Sequence, residues 1–293
     1  MNENRSVAII TPSYAADYDR CLLLCDSIDA HVSGVQDHYI LVDDEDFALF
    51  SGLAGVHRHV INECDILPDW LHAVRYGLGA TSKKAWFSTR AWPMRGWHVQ
   101  QLRRIAIAAH VDHAALLYCD SDMFFVRPFD GGVLWRGDDL RLYRKPGGIT
   151  DDMTEHLNWL KMASSILGLP EPEIPHHDYI NNLVSWRRQS VLEMCAHIEA
   201  ISGRDWVSTI ARERKFSECL IYGGYVDGVV GQNCGHWNAE TGLCLTYWDG
   251  AALDGKSLKQ LVETMDETQF AIGIQSFTNT DTGLLRQLLD DAA

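Results

Sequence analysis

The chain has 293 residues, a formal net charge of −15 and a hydrophobic share of 46%, enough apolar material to bury one large core or two closely joined halves. This composition excludes a disordered chain, and the acidic balance excludes a nucleic-acid binder and argues against docking of the whole molecule on acidic lipid by charge. The positive charge is local: Lys83, Lys84, Arg90, Arg95, Arg103 and Arg104 fall within one short region.

The opening "MNENRSVAII" passes from a polar start into a strand, without the apolar stretch and small-residue cleavage site of a secretory signal. No segment approaches the roughly eighteen apolar residues of a membrane span. Eight cysteines contain no CxxC pair, which points to reduced, packed thiols. The expected location is the cytoplasm, with peripheral association at the inner membrane face left open.

In chain order, "SVAIITPSY" is a β-rich run ended by Pro12 and Ser13, and "CLLLCDSIDAHV" has helical spacing. "HYILVDDED" is a second strand that ends in acids, and the strand–helix–strand order favours a parallel pair with a right-handed crossover. Asp43 and Asp44 at its end are either a helix cap or turn, or acids that recognise a base or ribose.

"KKAWFSTRAWPMRGW" then packs three tryptophans, two lysines and two arginines into fifteen residues without clear periodicity. Flat rings and guanidinium forks suit a sugar or a phosphate-bearing ligand, so this segment is expected to be a mobile lid, with Trp97 in the core. A helix from about Val99 to Ala109 follows. It carries Gln100 with Gln101 and Arg103 with Arg104, and only one residue of such an adjacent pair can face a crevice.

The stretch "HAALLYCDSDMFFVRPFD" is a buried strand that stops at Asp120, Ser121 and Asp122. Two acids one position apart need something positive; oxygen ligands of this kind suit Mg²⁺ or Mn²⁺, which in turn neutralise nucleotide phosphates. Ligands of open α/β sheets collect at the carboxyl ends of strands. Thr11, Pro12, Ser13 and Tyr14, Asp43 with Asp44, and Asp120 with Asp122 are therefore expected to converge on one crevice. From Arg141 onward the chain is more irregular, with turn-rich "YRKPGGITDD" and "LGLPEPEIPHHD".

"IITPSYAADYDRC", "ILVDDED" and above all "LLYCDSDMFFVRPF" resemble the nucleotide-sugar glycosyltransferases of the GT-A fold, whose DxD motif binds a divalent cation and the donor diphosphate. "GWHVQQLRRIA", "FSECLIYGGYV" and "LTYWDG" extend the likeness, to a bacterial glycosyltransferase family, over most of the chain. The resemblance implies an α/β, Rossmann-like catalytic domain with a nucleotide-sugar-binding half at 1–140 and an acceptor-binding half at 141–293. It implies a metal-dependent enzyme using Mn²⁺ or Mg²⁺, with a nucleotide-sugar donor and a glycan or lipid-linked acceptor, in the synthesis of cell-surface polysaccharide or glycolipid.

Within that likeness, Arg103 or Arg104 would reach the donor, and Glu218 in "KFSECLIYG" is the candidate base, with Asp178 in "HHDYINNLVSW" as its rival. A glutamate in the first turn of a helix can equally serve the helix dipole. The third metal ligand in such enzymes is often a distant histidine. His236 in "CGHWN" is the candidate, with His176 and His177 as competitors and Gln275 in "FAIGIQSFT" at the position nearer the C-terminus. A metal-dependent nucleotidyltransferase or a noncatalytic carbohydrate-binding protein are the alternatives, although "TPSYAADYDR" lacks the glycine- and lysine-rich phosphate loop of the former.

Overall fold

The computed structural model describes residues 5–76 and 83–292. The opening apolar run forms β1 (Val7–Pro12), every residue of which is buried, and it feeds helix α1 (Tyr18–His31). After β2 (Asp37–Val42), helix α2 (Asp44–Phe50) and β3 (Arg58–Asn62), the chain makes a hairpin of β4 (His72–Tyr76) and β5 (Lys83–Phe87). Helix α3 (Gly96–Ala106) leads into β6 (Ala115–Cys119), buried throughout, and the short β7 (Met123–Phe125). The irregular half contributes β8 (Asp139–Tyr143), α4 (Thr154–Leu167), β9 (Leu183–Arg187) and α5 (Arg188–Ser202). It ends with α6 (Glu218–Gly224), β10 (His236–Ala239), β11 (Cys244–Tyr247), α7 (Gly255–Glu263), β12 (Ala271–Ile274) and α8 (Thr282–Ala292).

The main sheet has the order β9–β6–β1–β2–β3. β1 pairs in parallel with both β2 and β6, β2 pairs in parallel with β3, and only β9 is antiparallel. The architecture is thus α/β with a mostly parallel central sheet flanked by helices. Successive strands run outward from β1 in one direction through β2 and β3, then return to its other side as β6. The order reverses between β1 and β6, where the carboxyl ends of an open sheet leave a crevice.

A second sheet completes that crevice. β12 lies between β11, parallel to it, and β7, antiparallel to it, and the Ile274 N–H donates to the Asp122 carbonyl at 3.0 Å. The buried Arg20 of α1 donates to the Ile274 carbonyl at 3.1 Å and to the Thr280 carbonyl at 2.9 Å, tying the C-terminal segment to the first helix. The two halves are interleaved, since β9 of the second pairs along the whole of β6 in the first.

The tryptophan-rich segment differs from the expected irregular loop. Residues 83–87 form a strand, and Trp86 is 4% exposed, donating its indole N–H to Glu63 at 2.9 Å. Trp97, expected in the core, is 47% exposed, because it occupies the first turn of α3, where the chain enters the helix from the surface. Among the described residues no helix is long and apolar enough to cross a membrane, and all eight cysteines are unpaired.

Glu63 is buried and holds both Arg103, whose Nε donates to it at 2.9 Å, and the Trp86 indole. Removing it strands a desolvated guanidinium. Glu63→Ala should therefore lower unfolding free energy by about 3–5 kcal/mol, read as a lower denaturant midpoint with unchanged slope.

Candidate functional site

At the switch point lies a cavity of about 340 Å³. Its floor is the end of β6: Asp120, Ser121 and Asp122 all line it, joined from the end of β1 by Tyr14 and Asp17. α3 supplies Trp97, Gln100, Gln101 and Arg104, and the start of α6 supplies Ser217, Glu218 and Cys219. Gln275 and Ser276, just past β12, and Trp159, Asn182 and Trp248 close the walls.

Arg104 is the centre of this arrangement. Its guanidinium is buried, 2.8 Å from Glu218 and 3.6 Å from Asp120, and lies over the Tyr118 ring at 4.9 Å. Two of its nitrogens, Nε and Nη2, have no hydrogen-bond partner. Burial alone would favour a neutral guanidine, but the carboxylates of Glu218 and Asp120 more than offset it, and Arg104 stays a cation.

The carboxylates feel the opposite pressure. Burial raises Asp120, with Arg104 opposing. Burial, and then the charge of Asp120, push Asp122 up to about 7, although its Oδ2 accepts the Ser276 N–H at 3.0 Å. Asp17 is raised by burial and accepts side-chain hydrogen bonds from Ser276 and Ser121, while Glu218 is raised by burial against the pull of Arg104. The Gln101 amide oxygen accepts the Glu218 backbone N–H at 3.0 Å, so the start of α6 is fixed to α3.

Of the adjacent pairs on α3, Arg104 faces the cavity while Arg103 turns to Glu63 on the other side, as neighbours diverging by about 100° must. For Gln100 and Gln101 the expectation that only one could face the crevice fails: both line the cavity, because Trp97, Gln100, Gln101 and Arg104 form one helical stripe broad enough to include two neighbours.

Of Thr11, Pro12, Ser13 and Tyr14, only Tyr14 lines the cavity. Thr11 is buried with its hydroxyl 3.0 Å from His38 Nε2, Pro12 completes the strand and Ser13 is buried. Asp43 and Asp44 do not converge on the site. Asp43 caps α2 by accepting from the Asp46 N–H and pairs with Lys84 at 2.9 Å, and Asp44 accepts from the Asn62 amide at 2.7 Å. The cap or turn is the reading that holds for them, because β2 starts a helix at once and the cap uses up the carboxylate.

His236 is also remote. Its ring nitrogens stand 3.1 Å from the Leu140 carbonyl and 2.8 Å from the Tyr222 hydroxyl, and burial lowers it to about 4. With one nitrogen engaged by its strand partner in β8 and the other by Tyr222 of α6, it is a structural histidine. His176 and His177 lie in a short strand paired with 145–149, outside the cavity. Asp178 sits in that same strand, raised by burial, accepts the Ile180 N–H at 3.0 Å and does not line the cavity.

The C-terminal "IQS" turns out to be the partner of the acidic pair, through Ser276 on Asp122 with Gln275 beside it. Sequence reasoning missed Asp17, Ser276, Asn182, Trp159 and a role for Trp248. Asp17 stands three residues past Tyr14 in the same quoted stretch, and Asn182 and Trp248 lie within quoted motifs, so the signal was local composition without a partner in view.

Among the described residues, no group of three or more His, Cys, Asp or Glu side chains is placed to hold a metal. The two acids nevertheless suit a hard divalent ion that takes its remaining ligands from water or phosphate. One oxygen of each, Oδ1 of Asp120 and Oδ1 of Asp122, is buried without a hydrogen-bond partner.

With this geometry in place, the comparison with known families is direct. DUF6492, a family of unknown function, matches residues 6–291. The chain belongs to that family. No curated protein matches the chain.

The raised Asp122 sets a pH dependence of stability. In the folded, metal-free protein Asp122 keeps its proton up to about pH 7, whereas the unfolded chain releases it near the ordinary value of 3.8. The folded state binds the extra proton between these values, so this group's contribution falls as pH rises from about 4 to 7 and is constant above. Asp122→Asn keeps the acceptor for Ser276 and removes the penalty. In pH-resolved thermal melts it should be more stable than the parent at pH 8 by about 1 kcal/mol or more, and equal to it near pH 4.

Proposed function

We propose that the chain is a metal-dependent glycosyltransferase of GT-A architecture that moves a sugar from a nucleotide-sugar donor to a glycan or lipid-linked acceptor. One observation carries the reading: the Asp120–Asp122 pair, the buried Arg104 and the buried Glu218 share a single cavity at the switch point of a mostly parallel sheet. The "LLYCDSDMFFVRPF" resemblance supplies the chemistry that this geometry serves.

Glycosyl transfer needs a stabilised leaving diphosphate and, for inversion at the anomeric carbon, a base at the acceptor hydroxyl. A Mg²⁺ or Mn²⁺ ion held by Asp120 and Asp122 would supply charge neutralisation for that diphosphate. Arg104 adds a fixed cation beside it, with two unpartnered nitrogens available to phosphate oxygens. Glu218 is the base. Burial gives its carboxylate a higher proton affinity than an exposed glutamate, and the Gln101 bond to its backbone fixes its place. Trp97 and Trp159, with ring centroids 5.7 Å apart, offer flat apolar faces for pyranose rings, and the buried unpartnered Nδ2 of Asn182 offers a donor to a hydroxyl.

Calorimetry with nucleoside diphosphates and nucleotide sugars tests the donor side. Binding should require Mn²⁺ or Mg²⁺ and be lost in Asp120→Asn and Asp122→Asn while both variants stay folded by circular dichroism. Full Mn²⁺-dependent binding in either variant would sink the reading. A product analysis giving pyrophosphate instead of nucleoside diphosphate would favour a nucleotidyltransferase.

For the base, Glu218→Gln should keep donor affinity within about twofold and cut turnover by about 10²-fold or more. Undiminished turnover would remove Glu218 from the chemistry. A parallel loss of donor binding and thermal stability would make it only the counter-ion of Arg104.

A further inference from the structure

A cluster of basic side chains gathers around Trp92 in this acidic protein. Two neighbouring hollows of about 510 and 420 Å³ share Trp92, Glu213 and Arg214 in their linings. Arg95 and His98 line one, Lys161, Arg212 and Lys215 the other, and Glu213 is the single carboxylate among their lining residues. Arg90 joins them through its carbonyl, which accepts from Arg212 Nε at 3.0 Å.

Lys161 and Lys215 are paired, with Glu171 and Glu155. Arg90, Arg95, Arg212 and Arg214 are exposed, and among the described residues none of the four has a carboxylate partner. Three guanidinium groups, those of Arg95, Arg212 and Arg214, line the hollows against the single carboxylate of Glu213, which makes the groove locally positive in a chain of net charge −15.

The aromatic component is equally specific. Trp92 is 54% exposed, with the Arg214 guanidinium 4.7 Å from its ring centroid. A flat ring flanked by forked cations suits a sugar that carries an anionic group, the ring taking the pyranose face and the forks the phosphate, sulfate or carboxylate.

The hollows border the cavity wall: the Trp97 ring of that wall lies 5.1 Å from the His98 ring of one hollow, and Trp159 of the wall follows Asn158 of the other. A bilayer fits less well. Membrane docking wants protruding apolar side chains, and here the ring faces a guanidinium inside a concavity.

We infer that the Trp92–Arg214 groove binds an anionic oligosaccharide, and that the acceptor of this protein is an acidic glycan whose charged units lie along the groove while its terminal sugar enters the cavity. The role as acceptor rests on the transfer reading above; the binding does not.

The test uses the whole protein in calorimetry against acidic hexasaccharides bearing uronate, sulfate or phosphate groups, with a neutral maltohexaose, inorganic polyphosphate and phosphatidylglycerol-containing vesicles as comparisons. At least one acidic hexasaccharide should bind, weakening as salt is raised, and the neutral one should not. Arg212→Glu with Arg214→Glu, and separately Trp92→Ala, should each weaken binding by about tenfold or more, roughly one strong contact's worth. Neither change should affect melting temperature or Mn²⁺-dependent nucleoside diphosphate binding.

Polyphosphate binding as tightly as the saccharide, with Trp92→Ala without effect, would overturn the sugar assignment. So would vesicle binding in the absence of saccharide binding, or no binding to any probe. If saccharide binds while nucleoside diphosphate does not, the groove stands and the transfer reading falls.

Discussion

The site depends on a cation that is almost wholly buried. Arg104 is buried on the ring of Tyr118, and a lone guanidinium there would be untenable without the carboxylates of Glu218 and Asp120. Those two acids come from elements far apart in the chain, the end of β6 and the start of α6, and α3 brings the arginine between them. The same helix fixes the start of α6 through Gln101, and the Tyr118 hydroxyl donates to the Arg104 carbonyl at 2.7 Å. β6, α3 and α6 are thus held by one charge and its neighbours.

The pair is only half neutralised. Asp17, Asp120 and Asp122 crowd into the crevice with Arg104 and Arg20 as the nearby cations, and each of the three acids is raised by burial. Natural proteins keep such an unfavourable set where function needs it, because carboxylates left partly unpaired in a low-dielectric cleft are ready to hold a cation or a proton. The contrast with Glu63 and Arg103 is instructive. There the acid is fully used by Arg103 and the Trp86 indole, away from the cavity, and the result is a structural clamp.

Charge is also distributed on the larger scale. The chain as a whole is acidic, while exposed arginines without a carboxylate partner, Arg95, Arg212 and Arg214, gather around Trp92. A net charge that is negative as a total is therefore locally positive around Trp92.

Several features were set by the chain alone. The uninterrupted apolar runs of β1 and β6 suit strands buried on both faces in the middle of a mostly parallel sheet, and their alternation with helical spacing points to the α/β order. Asp120 and Asp122 at the end of β6 marked the crevice, because carboxylates following a buried strand must emerge at its rim. Glu218 and the rule that only one of Arg103 and Arg104 could face the crevice were equally readable. Which arginine it is, and that Glu218 becomes its counter-ion, depended on the rotation of α3 about its axis, which no local pattern records.

The tertiary structure alone decided the rest. Asp43 looked like a ligand-binding acid and became a cap because α2 begins immediately after it. His236 looked like a ligand and was taken up by Leu140 in a separate sheet and by Tyr222 of α6. Asp17 and Ser276 gave no signal because their meaning is a contact across more than half the chain, made by β12 pairing with β7 and by Arg20 gripping the C-terminal turn. Residue types and their short-range order are properties of the sequence; which of them share a desolvated space is a property of long-range pairing.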